Sequence, residues 1–102
     1  MLHPHFEKQL PQVIELFKKH NVKNAYAFGS VVSDKFNETS DVDLLINFID
    51  GLDPLVKGQS IWDLEDELKL LLERNIDLVT ENSLKNPYFI KELNETKLRI
   101  YE

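Results

Sequence analysis

Residues 25–48 read AYAFGSVVSDKFNETSDVDLLINF, and this stretch decides the fold. An apolar segment, Ala25-Tyr26-Ala27-Phe28, ends in Gly29-Ser30; ten residues later a second apolar segment opens with Asp41 and Asp43, one residue apart. Side chains two apart on a strand point the same way, about 6.5–7 Å from each other along the chain. Two carboxylates so placed repel, and one has to take up a proton unless a cation lies between them. A bridging divalent cation removes the conflict, and hard oxygen ligands favour magnesium.

Gly29 ends its strand where the backbone must turn and let a ligand come close, which a residue without a side chain permits at least cost. Ser30 then starts a turn of helix through Val31 and Val32, where free N–H groups attract phosphate and its hydroxyl adds a donor. Taken singly, a Gly-Ser is an ordinary turn and an Asp-x-Asp an ordinary solvated strand start. Their order, with apolar flanks on both, is the informative feature.

Outward from this centre the chain alternates helix and strand. Phe6, Leu10, Val13, Ile14 and Phe17 form the apolar stripe of a helix over about 5–20, with Lys18, Lys19 and His20 at its negative end. Pro11 predicts either a start near residue 10 or a kink. His3 and His5 read as a frayed, solvated terminus, with a metal role as the alternative. Asn21 to Asn24 is polar and ends the helix. Ser33 to Ser40 reads as a surface loop. In Asp41–Ile49, Val42, Leu44, Ile46 and Phe48 share one face, and Asp41, Asp43, Leu45, Asn47 and Ile49 the other. Both are apolar beyond the acids, as in a central strand covered on each side.

Asp50-Gly51-Leu52-Asp53-Pro54 is turn chemistry, continued as a loop through Leu55–Gly58. Ser60 is the predicted N-cap of the next helix, with Asp63 in a capping-box position. Ile61, Leu64, Leu68, Leu71 and Leu72 carry that helix to about Arg74, with Glu65, Asp66 and Glu67 solvated. Ile76–Val79 is a short strand containing Asp77. Asn86-Pro87 marks the N-cap and first position of a last helix, whose Phe89, Ile90 and Leu93 pack inward. Leu98, Ile100 and Tyr101 dock the C-terminus. The order predicts an α/β (α+β) sandwich, a small mixed β-sheet flanked by helices, with residues 1–102 as a single domain.

The totals narrow the function. With 42% hydrophobic and 29% charged residues, the composition is that of an ordinary soluble protein. No apolar run suffices to cross a bilayer, and no signal peptide is evident, so no membrane role is expected. The absence of cysteine excludes disulfides and thiolate zinc sites and fits a cytoplasmic protein. A net charge of −6 argues against direct binding to polymeric nucleic acid, while a small polyanion carrying its own magnesium remains suitable.

Gly29-Ser30, ten residues and DVDLL, followed later by NIDLVT, resemble the signature of the DNA polymerase beta-type nucleotidyltransferase superfamily, in its minimal, single-domain prokaryotic branch (MNT). The resemblance spans roughly residues 10–101. It implies that Asp41, Asp43 and Asp77 hold two Mg2+ ions and that Asp77 helps deprotonate the acceptor hydroxyl. It further implies that Gly29 and Ser30 hold the triphosphate of ATP. Many minimal members have a basic residue and glycine where this chain has Ser33 and Asp34; an acid there weakens nucleotide binding unless it turns outward, and Lys35 is the nearby substitute charge. The resemblance also implies an antitoxin partnered with a HEPN-domain toxin, with AMP transferred to a toxin tyrosine. The alternatives are neutralisation by binding alone, or transfer to an aminoglycoside-like small molecule. A homo-oligomer remains open, and the small-molecule reading would require a homodimer.

Overall fold

The computed structural model describes residues 3–32, 37 and 40–102. Ser33, Asp34 and Lys35, and with them the question of the basic-Gly substitution, lie outside the described residues. The elements run α1 (Pro4–Lys19), β1 (Val22–Phe28), a 3-10 turn (Gly29–Val32), β2 (Val42–Phe48), α2 (Pro54–Leu72), β3 (Ile76–Thr80), a second 3-10 turn (Glu81–Ser83), α3 (Pro87–Thr96) and β4 (Leu98–Tyr101). One mixed sheet has the order β3-β2-β1-β4, with β2 and β3 parallel and the other pairs antiparallel.

The period of two along β1 and β2 sorts their side chains between two helical layers. Ala25, Ala27, Val42, Leu44 and Ile46 join Phe6, Val13 and Phe17 of α1 and Leu64, Leu68 and Leu72 of α2 in the main core. Phe28 and Leu45 face the other way, where they meet Leu93 of α3. The central strand is therefore covered on both sides, as its apolar faces predicted. Burial of those side chains supplies most of the stabilisation, about 1.5–3 kcal/mol for each large residue removed from water.

Several boundaries differ from expectation. α1 begins at Pro4 and runs through Pro11, with His3 as N-cap accepting from the His5 amide at 3.2 Å. His3 is not frayed: its amide donates to the Val31 carbonyl at 3.0 Å, joining the terminus to the turn after Gly29. Pro11 leaves the Glu7 carbonyl without its helical donor, a local loss that the packing of Phe6, Val13 and Phe17 outweighs. β1 begins at Val22, inside the polar segment read as a helix end, because Asn21 adopts φ 65° and turns the chain straight into the strand.

α2 begins at Pro54, and Leu55–Gly58 is helical rather than loop. Asp53 is the N-cap, its carboxylate accepting from the Leu55 amide at 2.8 Å; Ser60 lies buried mid-helix and caps nothing. Asp53-Pro54 thus does what Asn86-Pro87 does for α3, where the Asn86 side chain accepts from Tyr88 and Phe89 as predicted. The C-terminal residues form a fourth strand, β4, paired antiparallel with β1.

Candidate active site

The strand directions bring the notable residues to one edge. β1 ends where β2 begins, so Phe28 pairs with Asp43; β3 runs parallel to β2, so Asp43 pairs with Asp77. Phe28, Asp43 and Asp77 therefore fall in a row across three neighbouring strands, with Gly29 directly after Phe28. Register partners share a face, and Asp43 and Asp77 point to the side covered by α3, like Leu45.

Gly29 has φ +74°, a conformation that side chains disfavour. A Cβ there would stand 3.4 Å from the Asp43 Cγ and inside contact distance of Oδ2, so the missing side chain makes room for this carboxylate. Ser30 is half-buried, and its hydroxyl donates a long 3.5 Å hydrogen bond to the Asp41 carbonyl, tying the turn to the start of β2. Arg74, just past α2, reaches the same segment and donates to the carbonyls of Asn37 (3.0 Å) and Ser40 (2.9 Å).

Asp43 is half-buried and Asp41 and Asp77 are exposed. Burial, then the charge of Asp77, then that of Asp41, push the Asp43 carboxyl up from 3.8 to about 6. This is the electrostatic conflict read from the sequence, now involving all three acids. Among the described residues, no three acidic or histidine side chains stand close enough to hold a metal ion by themselves. That still fits magnesium, which is bound through one or two carboxylates and completes its oxygen shell with water and substrate phosphates.

Gly29, Ser30 and Asp43 line a cleft of about 620 Å3, large enough for a cofactor-sized ligand. Phe28, Phe89 and Leu93 supply an apolar wall, and Glu92 and Thr96 complete the α3 side. Phe28 and Phe89 meet edge to face with ring centres 6.0 Å apart. Asp41 and Asp77 lie beside this cleft and do not line it. The α3 contribution was missed in the sequence: Phe89 and Leu93 read as core, and only the return of α3 over the sheet turns them toward the cleft.

This sheet, with its helices on both faces and its acids beside a Gly-Ser turn, defines a nucleotidyltransferase of the polymerase beta kind. The profile of the polymerase beta nucleotidyltransferase family matches residues 11–102, and the chain belongs to that family. A Methanocaldococcus jannaschii protein provisionally designated a protein adenylyltransferase is 38% identical over 86 residues, 84% of each chain. A solved structure described as a minimal nucleotidyltransferase superposes with a TM-score of 0.72 at 27% identity, over 91% of this chain and 90% of that one. A chain from the complex of tri-AMPylated Shewanella oneidensis HEPN toxin with MNT antitoxin shares the fold, with a TM-score of 0.63 at 20% identity over 92% of this chain and 70% of that one. No helix among the described residues is long and apolar enough to cross a membrane.

Proposed function

We propose that the chain transfers AMP from ATP to a protein hydroxyl, a tyrosine of a HEPN-domain toxin, and so acts in the cytoplasm as the antitoxin of a two-component module. The observation that carries this reading is the row Phe28–Asp43–Asp77, with the Asp43 carboxylate seated against Gly29 at the mouth of the cleft. The adenylyltransferase designation of the M. jannaschii relative and the fold shared with the toxin–antitoxin complex support the choice of nucleotide and partner.

In this proposal Gly29 and the Ser30 hydroxyl hold the triphosphate, where a Cβ would obstruct it. Asp41, Asp43 and Asp77 would hold two Mg2+ ions, which when bound offset negative charge on the entering and departing oxygens. Phe28 and Phe89 give the nucleobase an aromatic surface. Asp77, exposed at the end of the row, takes the proton of the attacking hydroxyl. A new P–O bond forms at the α-phosphorus as the bond to the bridging oxygen breaks and pyrophosphate leaves.

The test incubates the chain with α-labelled ATP, magnesium and its HEPN partner. Label is expected on the partner with the wild type and none with Asp41→Asn or Asp43→Asn. Absence of label with the wild type, together with neutralisation that survives in both variants, would replace transfer by simple binding.

A further inference from the structure

The outer face of α2 departs from what a helix lying on a sheet should show. Its inner stripe, Ser60, Leu64, Leu68 and Leu72, is buried, so the opposite side ought to be polar. Instead Leu55, Trp62 and Leu70 are 85%, 70% and 81% exposed. At 100° per residue the three fall within about 80° of arc, along about 22 Å of helix, opposite the buried stripe. Scattered exposed leucines are ordinary; a single meridian that includes the chain's only tryptophan is a patch.

The order of residues along this meridian is symmetric. Leu55, Gln59, Trp62, Asp66 and Leu70 read nearly the same from either end about a point between Trp62 and Asp63. We propose that this face is a self-association surface, on which a second copy of the chain packs its own α2 antiparallel about a two-fold axis. That arrangement sets Leu55 opposite Leu70 of the partner subunit and Gln59 opposite Asp66 of the partner subunit, with Trp62 at the centre. Gln59 Nε2 donates to Asp63 of its own helix at 2.9 Å and has a second N–H to give the facing carboxylate.

A two-fold interface requires such a self-complementary patch. A basic heterologous partner would also suit the neighbouring acids, but would not need the matched spacing on the two sides of Trp62. The exposed apolar surface is on the order of 400 Å2 per copy, about half of the ~800 Å2 each partner buries in a standard interface. Polar flanks supply the remainder in ordinary proportion. Because α2 lies on the sheet face opposite α3, the dimer leaves the cleft open.

Sedimentation of the full chain from about 1 to about 100 μM, a range that brackets micromolar affinity, tests this directly. The mass is expected to double with concentration while Trp62 emission moves to the blue as its ring leaves water. Leu70→Lys is expected to stay monomeric with a red-shifted tryptophan, an unchanged circular dichroism spectrum and unchanged AMP transfer per chain. Gln59→Lys should tighten the dimer several-fold and Gln59→Glu weaken it by a similar factor. A chain that stays monomeric with constant emission, or a dimer indifferent to Leu70→Lys, overturns the proposal. Equal effects of the two Gln59 variants overturn the antiparallel register.

Discussion

Asp43→Asn should make the metal-free protein more stable while removing its activity. Asp43 carries a carboxyl raised from 3.8 to about 6, first by burial and then by Asp77 and Asp41. A raised carboxyl binds its proton more tightly in the folded state, so its contribution to stability is complete below about pH 4 and lost as pH rises through 6. A shift of this size corresponds to about 3 kcal/mol at 1.36 kcal/mol per unit. Asp43 is only half-buried, and solvent screening reduces the figure to about 1–2 kcal/mol. Asn keeps the shape and removes the charge. At 4–8 °C per kcal/mol, the variant should melt roughly 4–15 °C above the wild type at pH 7.5 in EDTA. The gap should fall to about half at pH 5 and nearly close at about pH 4 and below, where the group is protonated in the folded and the unfolded chain alike. Carboxylates away from the site titrate in both proteins and cancel in the difference. Magnesium with a nonhydrolysable ATP analogue should raise the wild-type midpoint and leave that of the variant in place. Melting by circular dichroism at pH 7.5 and at about pH 4 decides: a variant that melts at or below the wild type at pH 7.5, or a gap as wide at about pH 4 as at pH 7.5, refutes the electrostatic reasoning.

Gly29→Ala should lose about 1–3 kcal/mol from the strain of φ +74° and displace the Asp43 carboxylate; AMP transfer should fall at least tenfold, measured with labelled ATP. Leu68→Ala opens a cavity between α2 and the sheet at a fully buried position, and urea unfolding should show a loss of 2–5 kcal/mol. Glu67 accepts from Lys19 at 2.5 Å and pairs with His20, joining α2 to the end of α1, and Lys19 first and His20 second lower its carboxyl below the usual 4.5. That contribution is present near neutrality and lost as pH falls, so Glu67→Gln should melt lower than wild type at pH 7 and converge with it below pH 4. Arg74→Ala removes the donors that hold the Asn37 and Ser40 carbonyls, and should lower transfer several-fold at unchanged secondary structure.

The order of elements and the two-sided burial of β2 were legible in the residues because periodicity is a local property. Alternation in Val42–Phe48 and the 3.6-residue stripes at Phe6–Phe17 and Leu64–Leu72 specify which face each element must hide, whatever it meets there. Strand ends marked by Gly29-Ser30 and by Asp41 and Asp43 were equally local. Capping was legible only where its dipeptide stood apart: Asn86-Pro87 was read correctly, while the same signal in Asp53-Pro54 was masked by the turn residues before it. Pairing partners are different in kind, since they depend on contacts between residues far apart in the chain. Leu98–Tyr101 became a strand because β1 had an open edge to receive it, and Asp77 came beside Asp43 because β3 runs parallel to β2. The cleft wall of Phe28, Phe89 and Leu93 exists only once α3 folds back over that sheet face. The sequence by itself determined which groups carry charge and which faces avoid water. Their convergence at one sheet edge was decided by the tertiary structure, because only long-range strand pairing brings Asp43 beside Asp77 and sets both next to the turn at Gly29.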